Sequence, residues 1–181
     1  MGLRKWLLAL LVPVAMQLSA EELGLTPDQT ANLLQEQGEQ MLFIDVRDPV
    51  EIMFVGTPLG IDANIPFMLV DRYDFDADNN RFRLNQNPDF AAQVTAALEA
   101  KGLDSNALVV TMCRSGSERG EPSANYLVEQ GFTNVRFVIH GFQGDAHKDG
   151  PQQGLRTLNG WQNMGLPWQP RIDPDSIYRP E

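Results

Sequence analysis

The chain has 181 residues, a formal net charge of −10 and a single cysteine. Its length fits one domain that is large enough to bury a hydrophobic core. Its acidity argues against nucleic acid or an anionic membrane surface as a partner, and one cysteine excludes an internal disulfide.

Residues 1–20 have the composition of a secretory signal peptide. Arg4 and Lys5 form a short positive region, and residues 6–16 are almost wholly apolar. This apolar stretch is shorter than the ~20 residues that a membrane span needs. We predict cleavage after Ala20, a periplasmic or secreted mature protein, and no stable membrane span after cleavage. An uncleaved anchor is the alternative.

Helical and strand patterns alternate from residue 21 to residue 169, which we interpret as one domain. Thr26 and Gln29 fit a capping box at the start of a first helix. The tail, residues 170–181, is rich in proline and charge, and we expect an extended strap or disorder there. The predicted helices cover residues 27–37, 87–101 and 123–130, and the predicted strands cover residues 41–45, 107–112 and 134–139. This alternation implies crossover connections and a largely parallel sheet with helices on both faces.

The single cysteine opens a loop between a predicted strand and a predicted helix. Residues 113–120 read Cys-Arg-Ser-Gly-Ser-Glu-Arg-Gly. Main-chain amides at a helix N-terminus favour a bound anion, and the same field favours a nucleophilic thiolate. We therefore predict Cys113 as the catalytic nucleophile, with a buried, inert cysteine as the alternative. The predicted anion-binding residues are those of the loop: Arg114, Ser115, Gly116, Ser117, Glu118 and Arg119.

Two other polar residues, Asp45 and His140, are predicted to lie with Cys113 at the carboxyl ends of strands, where parallel sheets bind ligands. Asp45 is expected to orient the loop or its arginines, although a structural pair with Arg47 is equally compatible with the pattern. We expect Arg47 to tie the strand to the loop. His140 has no assigned role.

No metal site is predicted. Residues 74–85 begin like a calcium loop, but Asn79 stands where such a loop needs glycine and Asn85 where it needs glutamate. A polar turn between short strands fits this segment better.

Three segments, in this order, resemble the rhodanese family. The first is residues 43–51, which contain the Asp-x-Arg pattern of that family's opening strand. The second is the Cys-Arg-Ser-Gly start of the Cys113 loop. The third runs from Gly131 to Trp168 and closes with Trp161 followed by Gly-Leu-Pro. Together they span nearly all of the chain after the predicted signal peptide.

The resemblance implies a three-layer α/β fold, with a mostly parallel five-stranded sheet between helices, and a sulfurtransferase activity. Cys113 would attack the outer sulfur of thiosulfate or a related small sulfur-containing anion. The loop amides would hold the resulting persulfide until a thiol acceptor, either a small molecule or a thioredoxin-like protein, removes its sulfur. No metal or organic cofactor is implied.

The loop departs from the sulfurtransferase pattern in its length. Glu118 stands where those enzymes usually have the closing arginine, and Arg119 comes one position later. The resulting Cys-x(5)-Arg spacing is similar to that of the dual-specificity phosphatases that share the fold. A wider loop suits phosphate or arsenate, with Arg119 binding the oxyanion and Glu118 protonating a leaving group, unless Glu118 is simply a solvated acid of the helix's first turn.

Three functions therefore remain open. The start of the loop, Arg114 to Gly116, and the predicted export favour sulfur transfer. The loop length favours phosphatase or arsenate-reductase chemistry. A noncatalytic binding module on the same fold is the third possibility.

Overall fold

The computed structural model of the protein describes residues 23–180, and residues 1–20, with the predicted signal peptide, lie outside them. The strands of the described part are β1 (Gly24–Leu25), β2 (Met41–Asp45), β3 (Thr57–Pro58), β4 (Ala63–Asn64), β5 (Met68–Asp76), β6 (Arg81–Gln86), β7 (Leu108–Met112), β8 (Val135–Val138) and β9 (Trp168–Gln169). The helices are α1 (Pro27–Gln37), which a short 3-10 turn extends, α2 (Pro49–Val55), α3 (Phe90–Ala100) and α4 (Gly120–Glu129).

Five strands form one parallel sheet in the order β1-β8-β7-β2-β4. Strand β2 pairs with β7 along its whole length, so that Asp45 lies opposite Met112 at the carboxyl edge. Parallel strands need a crossover connection, and α1, α3 and α4 each come between two strands of this sheet in the chain. The predicted three-layer α/β fold with a five-stranded parallel sheet is confirmed.

The two faces of the sheet bury separate hydrophobic clusters. Alternation along β2 sends Leu42 and Ile44 to one face and Met41 and Phe43 to the other. The first face packs against α3 and α4, and the second against α1 and the segment that ends the domain. The fold is therefore held from both sides, and the carboxyl edge of the sheet is left for polar groups.

Capping explains where the helices begin. The capping box of α1 is confirmed, because Thr26 and Gln29 each accept a main-chain N–H from the other. Helix α2 was not predicted, and it starts at Asp48, whose carboxylate accepts the amide of Val50. The second oxygen of Asp48 accepts the amide of Val70 at 2.9 Å, which ties α2 to the following hairpin.

Strands β5 and β6 form an antiparallel hairpin that pairs with no other described strand. The predicted polar turn joins them at residues 77–80, although β5 is longer than expected. Two of the acidic side chains bind protein donors here: Asp74 accepts from Arg83, and Asp76 accepts from Asn79. This use of the carboxylates agrees with a structural turn.

The tail lies along the edge strand of the sheet. The carbonyl of Ser176 accepts the amide of Asn64 at 2.7 Å, and the Asn64 side chain accepts the amide of Tyr178. Residues 170–180 thereby cover the outer edge of β4, which would otherwise present unpaired main-chain groups. None of the helices described is both long and apolar enough to cross a membrane.

Candidate active site at the carboxyl edge of the sheet

The Cys113 loop connects β7 to α4, as the sequence predicted. The Cys113 sulfur accepts the amide of Gly116 at 3.2 Å. A Cβ atom at Gly120, the first residue of α4, would lie 3.4 Å from that sulfur. Thr111 donates to the carbonyl of Gly120 at 2.9 Å and so fixes the helix start against β7. The sulfur therefore lies at the N-terminal end of the helix.

The Cys113 loop carries a group of main-chain donors, one of which binds the sulfur. The amides of residues 114, 115 and 117–119 have no acceptor among residues 23–180, whereas the Gly116 amide binds the sulfur itself. Donors of this kind, grouped in a tight loop, are suited to an anion or to an electron-rich sulfur. The hydroxyl oxygens of Ser115 and Ser117 lie 3.4 Å apart on the same loop.

A second loop, residues 140–144, is hydrogen-bonded to the start of the Cys113 loop. The amide of Phe142 donates to the carbonyl of Cys113 at 2.8 Å, and the amide of Gln143 donates to that of Arg114 at 2.8 Å. Gly141 has φ of +56°, and a Cβ there would lie 2.3 Å from the Cys113 carbonyl oxygen. Only glycine allows the second loop to come this close to the Cys113 carbonyl, and the contact fixes the position of the Cys113 loop.

Cys113 is fully buried, and it also contacts the hydrophobic cluster on the α3 and α4 side. A substrate therefore needs a local opening to reach the sulfur. Two clefts flank this loop. One, of about 390 Å³, lies toward the hairpin, and the other, of about 740 Å³, lies toward residues 145–158. Glu118 is exposed and lines both clefts.

Arg119 is buried, and its guanidinium holds a partner that the sequence analysis missed. Both terminal nitrogens bind the carboxylate of Glu51, on α2: Nη1 contacts Oε2, and Nη2 donates to Oε1 at 3.0 Å. The Nε atom is buried and has no acceptor within the described chain. The signal that could have revealed Glu51 is its position in the Asp-x-Arg segment, which resembles the family pattern.

The charges of this pair support each other. Burial acts to raise the pKa of Glu51, but the hydrogen bonds and charge of Arg119 outweigh it and hold that pKa below its usual range. Burial likewise acts to lower the pKa of Arg119, yet Glu51 raises it, with a smaller contribution from Cys113. Loss of hydration and then the charge of Arg156 lower the pKa of Arg114. Arg156, which the sequence analysis also missed, therefore lies near the loop.

Asp45 and Arg47 form a fully buried pair beside the loop. The Asp45 carboxylate accepts from Arg47 at 2.9 and 2.5 Å and from Thr57 at 3.4 Å. Arg47 also donates to the carbonyl of Gly56, and its guanidinium lies 4.6 Å from the ring centre of Phe142. Asp45 thus pairs with Arg47, which was the structural alternative considered for it. Arg47 connects the strand to the loop through Phe142.

The remaining predicted residues lie at the edge of the site. The exposed Arg114 donates from Nε to Gln143 at 2.9 Å, which places its charge at the loop surface. His140 has φ of +63°, and its Nδ1 lies 2.8 Å from Asp145. The carboxyl-edge placement of Asp45, Cys113 and His140 is as predicted, but His140 has no contact with the sulfur.

The sequence matches the family model of the rhodanese-like domain over residues 26–148. The chain belongs to the rhodanese family. In this rhodanese the matched segment contains both the Asp45–Arg47 pair and the Cys113 loop. A comparison with curated proteins gives no match.

Solved structures share the fold of this rhodanese. Rv0390 from M. tuberculosis is 28% identical, covers 81% of this chain and is itself covered to 96%, with a TM-score of 0.57. A thiosulfate sulfurtransferase from Pseudomonas aeruginosa is 16% identical, with 81% of this chain and 20% of that chain covered and a TM-score of 0.49. A possible tyrosine phosphatase from Rhodopseudomonas palustris is 18% identical, with 72% and 90% covered and a TM-score of 0.41. The last two are too distant to indicate a reaction for this chain.

The Glu51–Arg119 pair predicts a pH dependence of the stability of this rhodanese. The pKa of Glu51 is lower in the folded protein than in the unfolded chain, where it is about 4.3. The pair therefore stabilises the folded protein in full above about pH 4.3, and this stabilisation is lost as the pH falls through the lowered pKa. We expect the free energy of unfolding of the wild type to fall more steeply than that of Glu51→Gln between about pH 5 and pH 3. Urea denaturation at each pH measures this, and parallel curves would contradict it.

Proposed function

We propose that this rhodanese is a sulfurtransferase that moves sulfane sulfur from thiosulfate or a related donor to a thiol acceptor. The observation that carries the proposal is the contact of the Cys113 sulfur with the Gly116 amide at 3.2 Å, at the N-terminal end of α4, in a loop whose other amides have no acceptor among the described residues. Donors of this kind favour a thiolate and the persulfide that forms from it.

The reaction proceeds in two displacements. The Cys113 thiolate attacks the outer sulfur of thiosulfate, the sulfur–sulfur bond breaks, and sulfite leaves with the bonding electrons. An acceptor thiolate then attacks the outer sulfur of the Cys113 persulfide and takes it, which regenerates the Cys113 thiolate. Only the outer sulfur of the donor must reach Cys113, and this is compatible with the burial of that residue. Arg114, exposed at the loop surface, supplies a charge for the sulfonate group.

Oxyanion chemistry remains the second candidate, because the Cys-x(5)-Arg spacing of residues 113–119 favours it. Against it stands the partner of Arg119, since the guanidinium that would bind phosphate or arsenate already binds Glu51. From the composition of residues 1–20 we further propose that the reaction takes place in the periplasm or outside the cell.

Intact mass spectrometry after thiosulfate treatment tests the proposal. We expect the protein to gain one sulfur atom, which peptide mapping places on Cys113, and to lose it when a small thiol is added. Failure to gain sulfur, together with cleavage of an aryl phosphate, would favour the oxyanion reaction instead. Failure in both assays, with retained binding of a partner protein, would favour a noncatalytic module.

A further inference from the structure

The ion pair between Glu51 and Arg119 uses the guanidinium with which a loop of this spacing would bind an oxyanion. Arg119 is 5% exposed, and its two terminal nitrogens contact the two oxygens of one carboxylate. This bidentate arrangement is the one that a guanidinium uses for phosphate, arsenate or sulfate. Glu51 therefore holds the terminal edge of this fork, and only Nε is left without an acceptor in the described chain.

Glu51 is fixed there by the local fold. It lies in the first turn of α2, where its amide donates to the carbonyl of Asp48 at 3.0 Å. The Asp48 carboxylate in turn binds the amides of Val50 and Val70, which joins the helix start to the hairpin. An incoming oxyanion would have to displace the carboxylate of a residue whose amide is held by Asp48, in a helix start that two further hydrogen bonds fix.

Charge adds to this steric competition. The carboxylate of Glu51 has Arg119 as its bonded partner, with Arg47 and Arg114 close enough to act on its charge. If an oxyanion took the guanidinium, Glu51 would be left beside a second negative group in a partly buried place, which is unfavourable. The sulfur atom on Cys113 relies on main-chain amides and leaves the ion pair intact.

We infer that Glu51 sets the substrate class of this site: by binding both terminal nitrogens of Arg119 it opposes the binding of a tetrahedral oxyanion at that guanidinium, while the outer sulfur of thiosulfate can reach Cys113 with its sulfonate at Arg114. The inference rests on the proposed function, because it concerns the substrate of the same loop. It assigns a specificity role to a residue outside the loop, and it explains how a loop of phosphatase length can serve sulfur transfer.

Isothermal titration calorimetry with tungstate, a tetrahedral dianion, tests the inference without any turnover. We expect Glu51→Gln to bind tungstate about tenfold or more tightly than the wild type, because the substitution removes a competing charge and keeps the side-chain shape. Glu129→Gln is the matched control. It removes one exposed charge from the last turn of α4, at the end of the helix away from the Cys113 loop, and we expect it to bind tungstate like the wild type.

Equal tungstate affinity in the wild type and Glu51→Gln would overturn the inference, as would an equal gain in Glu129→Gln. Glu51→Asp gives a second variant, in which a shorter carboxylate keeps the charge but reaches Arg119 less well, and we expect an intermediate affinity. Sulfur loading by thiosulfate is measured on the same samples. A wild type that takes up no sulfur, beside a Glu51→Gln protein that gains tungstate affinity, would refute the proposed function and leave the exclusion by Glu51 standing.

Discussion

Replacing Cys113 with serine is expected to lower sulfur transfer by about a thousandfold or more, because the hydroxyl is a far weaker nucleophile than the thiolate. The fold should survive, since the serine oxygen can accept the same amide of Gly116 and is smaller than sulfur. Thiocyanate formation from thiosulfate and cyanide measures the loss. Intact mass after thiosulfate should show no added sulfur.

The control for this variant is Ser105→Ala, an exposed hydroxyl that precedes the amino end of β7, whereas Cys113 follows its carboxyl end. It should form thiocyanate at the wild-type rate. Near-wild-type circular dichroism and thermal unfolding of Cys113→Ser would separate a lost nucleophile from a lost fold. Thiocyanate formation by Cys113→Ser at the rate of the control would show that another group carries the sulfur.

The sequence was sufficient to locate the site because the site follows from the topology. Parallel strands end at the same edge, so the predicted strand ends at Asp45 and Met112 had to meet, and the structure pairs them directly. The Cys113 loop could be placed for the same reason. Capping by Thr26 and the glycine after α1 are local signals, and they predicted that helix closely.

The partner of Arg119 could not be predicted from local pattern. Glu51 and Arg119 are 68 residues apart in the chain, and their contact depends on the direction in which α2 leaves β2. That helix has only seven residues and begins at Pro49, directly after Asp48, so a loop was an equally plausible interpretation. The hairpin that anchors α2 through Val70 was likewise expected only as a turn with short strands.

The sequence analysis missed the partner of Arg119 for a physical reason. An arginine that closes an anion loop presents the same fork to a carboxylate and to an oxyanion, and sequence spacing cannot tell which one it binds. The buried Asp45–Arg47 pair shows the opposite case, since both partners lie in one short segment. There, the structural pairing was among the stated alternatives and is the one observed.

Replacing Arg47 with methionine should lower the free energy of unfolding by about 3–5 kcal/mol. Methionine fills much of the space of the arginine stem, but it leaves the Asp45 carboxylate at 0% exposure without its cation. The substitution also removes the hydrogen bond to the carbonyl of Gly56 and the contact with Phe142, whose amide supports Cys113. Urea denaturation measures the loss of stability, and thiosulfate loading measures the effect on the loop.

A matched pair on the hairpin gives the control. Arg83 binds Asp74 at 2.8 Å, but both side chains are about half exposed, so Arg83→Met should cost less than about 1 kcal/mol. A third variant combines Arg47→Met with Asp45→Asn, and it should recover part of the loss because no unpaired charge stays buried. If Arg47→Met were no more destabilising than Arg83→Met, the buried pair would not be what joins β2 to the catalytic loop. The support of Cys113 would then have to come from the main-chain contacts of residues 140–144 alone.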